Sequence, residues 1–401
     1  MKIAICSVQE FNPMIGGIER VSVSLAAELI KKGHEVVFVS CRKSPYGEPY
    51  ELPAPQHFLP SSADYAEVNV REMLAILRNE HVDVVLNQNA HSEAYNRMIA
   101  EVREQSGVPV VSALHFDPIN RITSNRHLID FRFNTLRENV VGALRMIATT
   151  WPFTIVTMHS QKRMLRNLRD RSDAVVLLSE TFKPAFFRLA GGKDPEKIFA
   201  INNMLSWPMP EEPTGEKEKT ILFVGRLNHS QKRPEQLLTA WSKIEKRLPD
   251  WRVVIVGDGP MRADLENYAR DLDLQRVSFE GFRDPRAYYK QASVYVMTSS
   301  HEGWPLTIME AKQYGCVPVV YKSFVSVTDQ VSDGENGCLV DPFNQEEMAR
   351  KIVALAEDDA LRNEMSRKAR QSCARFAPGI IAAQWEDVLS SVIRKNGKEK
   401  E

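Results

Sequence analysis

The 401-residue sequence contains no run of about 18 apolar residues, so it encodes no membrane-spanning helix of ordinary length. Net charge is lacking as well. Lys plus Arg and Asp plus Glu number 52 each, a balance that argues against bulk nucleic-acid binding and leaves open only local patches. The five cysteines (Cys6, Cys41, Cys316, Cys338, Cys373) fall singly, with no CxxC pair and no Cys/His cluster, so neither a disulfide framework nor a zinc site is indicated. GxGxxG spacing is absent, which removes the dehydrogenase reading; Gly257-Asp258-Gly259 is read instead as a tight strand-to-helix turn. The opening MKIAICS turns polar too soon for a signal peptide and reads as a first strand. The expected compartment is the cytoplasm.

What is present is ordinary globular material, 43% apolar and 26% charged, with a length that suggests two domains. Lys2–Ser7 is a continuous apolar strand of the buried parallel type. Gly16-Gly17 follows in a loop, and a helix is expected over Ile18–Lys32 with Val21, Leu25 and Leu29 on one face. Gly33 stands where a helix stops, and Glu35–Ser40 reads as the next strand, which together give the opening of a doubly wound sheet. Further strands are expected at Val82–Leu86, Val108–Ala113 and Ala174–Ser179. Residues 206–219, rich in Pro and charge, read as a linker. A second alternation then restarts, with strands near Thr220–Gly225, Arg252–Val256, Val277–Phe279, Val294–Thr298 and Val317–Tyr321. Helices are expected at Glu235–Lys246, Met261–Arg270, Pro285–Gln291 and Leu306–Tyr314, and three more close the chain. The expected architecture is α/β, with two Rossmann-like doubly wound domains facing across a cleft. The boundaries are 1–205, 206–378 and a terminal helix at 379–401. Ligands of open α/β sheets sit at the carboxyl ends of the strands.

One segment departs from this pattern. Between 119 and 172 stand ten Lys/Arg (Arg121, Arg126, Arg132, Arg137, Arg145, Lys162, Arg163, Arg166, Arg169, Arg171) against three acids, with Phe131, Phe133, Trp151 and Phe153 among them. A basic amphipathic stretch of this kind suits an anionic membrane surface. The other reading is a pair of solvated helices packed beside the first domain.

The chemistry concentrates in His301-Glu302-Gly303-Trp304-Pro305-Leu306-Thr307-Ile308-Met309-Glu310, which follows a strand and starts a helix, with Pro305 expected in the first helical turn. Glu302 then lies in the loop and Glu310 on the helix. Pro305 and Glu310 are separated along the axis by about 7.5 Å. The helix start between the carboxylates offers unpaired N–H groups and a positive dipole end. That arrangement fits a sugar linked through a diphosphate to a nucleoside. Two surface glutamates near a helix start remain the alternative. Context favours the first reading: Val224-Gly225-Arg226-Leu227 ends a strand, and Lys232 follows six residues after Arg226. Two cations at a strand's carboxyl edge suit a departing diphosphate, since stabilising developing charge is usually the largest catalytic term. Loop solubility is the plainer explanation of the same pair.

With these residues in place, the sequence resembles the family 4 glycosyltransferases of the GT-B fold. EGWPLTIMEA carries the E-x7-E signature. The stretches GGIERV, VGRL with its following Lys, VGDGP, FEGF and GENGCLVDP stand in the family's order over nearly the whole chain, most weakly in 119–172. The resemblance implies a retaining transfer of a sugar from a nucleotide-diphosphate sugar to a hydroxyl of a glycan or lipid-linked acceptor, in polysaccharide or glycolipid synthesis, on the inner membrane face. It implies that Gly16 and Gly17 let the backbone approach the donor diphosphate. Arg226 and Lys232 would bind that diphosphate, Glu302 the sugar and Glu310 the ribose. Gly303, Trp304, Pro305, Leu306 and Thr307 would present amides, and Phe282 and Arg283 would line the base pocket. His115 matches a family histidine near the transferred sugar; the alternative is a core or loop histidine hydrogen-bonded to backbone. Two features depart from the pattern. Asp329 stands where the family often has Glu, and no DxD ends an apolar strand, Asp271-Leu272-Asp273 reading as a solvated helix end. No metal and no cofactor are therefore expected. A GT-B epimerase or phosphorylase, or an inactive partner subunit, are the alternatives within the fold.

Overall fold

The computed structural model describes residues 1–44, 50–119, 155–192, 195–210 and 217–398. Of the basic segment, the residues from Arg121 to Arg145, together with Trp151 and Phe153, lie outside the described residues. One compact unit gathers the described chain up to Ser206 and again from Phe376, and a second runs Trp207–Arg375.

The first unit is built on a 7-stranded sheet: β1 (Lys2–Gln9), β2 (Glu35–Arg42), β3 (Gln56–Phe58), β4 (Val84–Asn87), β5 (Val110–Leu114), β6 (Ala174–Leu177) and β7 (Ile198–Ala200), in the order β3-β2-β1-β4-β5-β6-β7. Every pairing is parallel. A parallel sheet needs cover on both faces, and β1 shows why its sequence is apolar without alternation: Ile3, Ala4, Ile5 and Cys6 are all 0% exposed. Ile3 and Ile5 face a cluster with Leu25 and Leu29, joined by Trp385, Val388 and Leu389 of the terminal helix Pro378–Lys398. Ala4 and Cys6 face Met73, Ile76, Met98 and Ile99 on the helices Glu67–Asn79 and Glu93–Ser106. Glu386 ties the terminal helix to Lys32 at 2.8 Å and to His34 at 3.0 Å.

The second unit holds a 6-stranded parallel sheet: β8 (Glu218–Val224), β9 (Arg252–Val256), β10 (Val277–Gly281), β11 (Ala292–Met297), β12 (Val317–Tyr321) and β13 (Cys338–Val340), in the order β10-β9-β8-β11-β12-β13. Two details differ from expectation. The supposed linker is partly structured. Trp207 packs near Tyr289 and Tyr314, the carbonyls of Trp207 and Pro208 each accept from Gln313 Nε2 at 2.6 Å, and β8 begins at Glu218. The helix expected to reach Lys246 ends at Ser242. Glu245 is claimed by a distant partner instead, accepting from the Arg276 N–H at 2.7 Å and from Trp241 Nε1 at 3.2 Å.

Gly257 and Gly259 are backbone requirements, with φ of +140° and +158°. A Cβ on Gly257 would collide with the carbonyl oxygen of Gly225, and one on Gly259 with that of Leu227. The loop after β9 is thereby pressed onto the loop after β8, and Leu227 N donates to Asp258 O at 2.9 Å. Gly257→Ala should cost about 3 kcal/mol, from a glycine-only conformation plus the backbone collision. That is a fall of about 6–12 °C in the unfolding midpoint of this unit, read by calorimetry. An unchanged midpoint would show that the two loops are not in contact.

Candidate active site

The strand orders locate the ligand-binding edges. In the second unit the order reverses between β8 and β11, and in the first between β1 and β4. Crevices at the carboxyl ends of such neighbours are where open α/β sheets bind ligands. The Arg226–Lys232 loop leaves β8 and the Glu302 loop leaves β11, so the sheet itself brings the motif residues of the second unit to one edge.

The two loops are stitched together. Ser300 N donates to Gln231 O at 2.7 Å. Thr298 Oγ1 donates to the carbonyls of Lys232 and Arg233, each at 2.8 Å. Lys232 Nζ pairs with Glu302 Oε1 at 2.6 Å, and Gln231 Nε2 donates to Glu302 Oε2 at 3.2 Å. Glu302 is only 9% exposed, so these donors stand in for most of the water it has lost. The Lys232 stem lies against Gly225, and Arg226 beside it is exposed. Beyond Glu302, Ser326 Oγ donates to Gly303 O at 2.6 Å, and Trp304 is buried. Pro305 stands at the N-cap, with ψ 115°, rather than in the first helical turn, and makes no side-chain cap bond to the helix Leu306–Gln313. Its extended ψ leaves Leu306 to open the helix. A helix start without such a cap keeps amide donors for an anion.

Glu310 faces inward at 1% exposure, accepting from Tyr289 OH at 3.1 Å. Tyr295 donates its OH to Thr307 Oγ1 at 2.7 Å, and burial together with the negative fields of Glu302 and Glu310 raises its phenol well above the usual range. Burial lowers the His301 imidazole, whose Nδ1 lies 2.9 Å from Ser300 Oγ. Phe282, at the carboxyl end of β10, is 68% exposed, and Arg283 is exposed beside it. The structure adds Gln231, Ser300, His301, Tyr289 and Tyr295 to the residues anticipated. Only Gln231 and His301 had any signal in the sequence, as neighbours of Lys232 and Glu302. Asp329 lies in the short helix Val327–Gln330, its carbonyl accepting from the Arg375 guanidinium.

In the first unit Gly16 is the N-cap of the helix Gly17–Lys31, again without a side-chain cap bond. A Cβ on Gly16 would stand 2.5 Å from Glu19 Oε2. Glu19 is buried in the first helical turn, and that burial raises its pKa. His115 follows β5, with Nε2 2.5 Å from Gln88 Oε1 at the end of β4. Burial first, and His91 second, push its pKa down to about 3, so it is a neutral imidazole throughout the physiological range. Its neighbour Asp117 is also buried, and its carboxyl is raised by that burial. Among the described residues no group of three or more His, Cys, Asp or Glu is arranged to hold a metal ion.

Residues 15–206 match the family model described as Glycosyltransferase Family 4, and residues 209–372 match the one described as Glycosyl transferases group 1. An uncharacterized glycosyltransferase of Haemophilus influenzae is 25% identical over 385 residues, 93% of this chain and 96% of that protein. The Campylobacter jejuni protein named GalNAc-alpha-(1->4)-GalNAc-alpha-(1->3)-diNAcBac-PP-undecaprenol alpha-1,4-N-acetyl-D-galactosaminyltransferase is 30% identical over 179 residues, 44% of this chain and 49% of that one. The solved structure of Anabaena Alr3699/HepE in complex with UDP-glucose aligns with a TM-score of 0.72 at 18% identity, covering 98% of this chain and 100% of that one, a likeness of fold. Matched in both halves, the chain belongs to the family 4 glycosyltransferases and has their GT-B fold.

Proposed function

We propose that the enzyme transfers a sugar from a nucleoside-diphosphate sugar to a hydroxyl of a glycan or lipid-linked acceptor, with retention of anomeric configuration. The observation that carries this reading is the Lys232–Glu302 pair at the β8/β11 switch point, beside a helix start with no side-chain cap. A buried carboxylate suits sugar hydroxyls, and a cation beside it suits phosphate. The names of the relatives agree with it: one is an N-acetylgalactosaminyltransferase acting on an undecaprenol-linked glycan, and another was solved with UDP-glucose.

In this reading Arg226, Lys232 and the amides of Gly303 to Thr307 face the donor diphosphate, Glu302 holds the transferred sugar, Glu310 the ribose, and Phe282 and Arg283 flank the base. In the first unit, Gly16 and Gly17 admit phosphate close to backbone, and neutral His115 exchanges a hydrogen bond with a substrate hydroxyl. The C1–O bond to phosphate breaks as the acceptor oxygen bonds to the same face of C1. The acceptor proton passes to the departing diphosphate oxygen. Charge developing there is met by two cations and helix amides, so the reaction so drawn requires no metal.

Contact with an anionic membrane surface belongs to the same proposal. No described helix is long and apolar enough to cross a membrane. In the helical stretch 155–171, Ile155, Val156, Arg163, Arg166 and Arg171 are exposed, while Arg169 is tied to the carbonyls of Ala190 and Gly191. Arg163 pairs with Glu93 at 3.0 Å, which leaves Arg166 and Arg171 as the better test positions for vesicle binding.

The decisive experiment is a panel of nucleotide sugars tested for thermal stabilisation and slow hydrolysis. A true donor present at about 100 times its Kd should stabilise the protein by about 2.7 kcal/mol. If no nucleotide sugar shifts the midpoint and none is hydrolysed, the donor assignment is wrong.

A further inference from the structure

We propose that Gln231 is a positioning residue for Glu302, holding the carboxylate in place when Lys232 turns from it to the donor diphosphate. The inference rests on the reading that Glu302 contacts the transferred sugar and Lys232 the phosphate. Lys232 then has two calls on one ammonium. Before donor arrives it holds Glu302 Oε1 at 2.6 Å, the shortest contact Glu302 makes among the described residues. Once it serves the diphosphate, a carboxylate that is 9% exposed loses its cation. A buried carboxylate left without a donor is costly and is free to rotate out of place.

Gln231 supplies the second hold. Its Nε2 donates to Glu302 Oε2 at 3.2 Å and to His301 O at 3.3 Å. A carboxylate and a carbonyl can only accept, so the amide's NH2 end must face them and the orientation of the side chain is unambiguous. Both bonds are long, as expected of a hold that is secondary while Lys232 is engaged. A neutral amide is also drawn to phosphate less strongly than a second cation in this place would be. The backbone of Gln231 does not depend on its side chain. Its carbonyl accepts from Ser300 N, and the next two carbonyls accept from Thr298 Oγ1. Truncation of Gln231 therefore leaves the loop in place and removes only the contacts to His301 and Glu302.

The test compares wild type, Gln231→Met, Gln231→Glu and Glu302→Ala, using the nucleotide sugar selected in the screen above and its matching nucleoside diphosphate. Gln231→Met is expected to lower kcat about tenfold, the usual weight of a hydrogen bond to a charged group, while the Kd for the nucleoside diphosphate stays within about twofold. Gln231→Glu is expected to lower kcat further, because two carboxylates then meet where one was held. Wild-type kcat in Gln231→Met alongside an inactive Glu302→Ala overturns the proposal and leaves the donor-site reading standing. A parallel loss of kcat and nucleoside diphosphate affinity in Gln231→Met also overturns it, since that is the signature of a disordered loop. Wild-type kcat in Glu302→Ala brings down the donor-site reading itself.

Discussion

Glu302→Ala should lower glycosyl transfer by about 10²–10³-fold while the protein keeps its fold and its affinity for nucleoside diphosphate. The carboxylate is nearly buried, held at both oxygens, and set at the end of β11 where the sheet order reverses. A group so placed can orient a sugar hydroxyl without paying reorganisation at the moment of reaction. Its loss should therefore appear in kcat rather than in binding of the nucleotide part. Removing it also frees Lys232 for phosphate, so the Kd of the nucleoside diphosphate should stay level or fall. Steady-state transfer and calorimetric titration read the two quantities separately. Normal turnover in a folded Glu302→Ala protein would place the sugar elsewhere.

Lys232→Ala should be at least as damaging, and in a different way. Two effects add. The departing diphosphate loses a cation, worth about 10²–10³-fold in kcat. Glu302, 9% exposed, also loses its ammonium partner while facing the place where an anion must bind. Nucleoside diphosphate affinity should consequently drop along with kcat. The double variant Lys232→Ala/Glu302→Ala separates these effects. It should bind nucleoside diphosphate more tightly than Lys232→Ala alone, because the uncompensated carboxylate has gone, although it remains inactive. Strict additivity of the two substitutions on binding would mean that the ion pair does not operate in the enzyme.

Much of the site was legible because its residues sit in short, ordered stretches. The run from Glu302 to Glu310 encloses a loop, a helix start and a helix face, and local rules alone predicted that division. Arg226 and Lys232 were recognisable from their place after an apolar strand. Pro305 lies at the N-cap and not in the first turn; its fixed φ suits both positions, and only ψ separates the two. Gln231 has no signal in the sequence beyond its place beside Lys232, because a glutamine in a polar loop has no role of its own until its partner is known. The early end of the helix at Ser242 was hidden for the same reason: Glu245 is a good helix former, yet its carboxylate serves backbone N–H groups some thirty residues away. The strands Gln56–Phe58, Ile198–Ala200 and Cys338–Val340 span three residues each, too few for a periodicity to show.

By itself, the sequence determined the class of fold and the residues of the candidate site. Unbroken apolar strands alternating with amphipathic helices require a parallel sheet covered on both faces, because nothing else buries such strands. The order of the motifs along the chain named the residues that the proposed chemistry uses. Tertiary structure alone decided which of them meet. The pattern of a strand records how deeply it is buried and not which strand lies beside it. The placing of β8 next to β11, with the switch in order between them, is what sets Lys232 and Gln231 against a carboxylate about seventy residues away. Burial then settled the electrostatics: a histidine held neutral, and a glutamate with one ammonium and one amide in place of water.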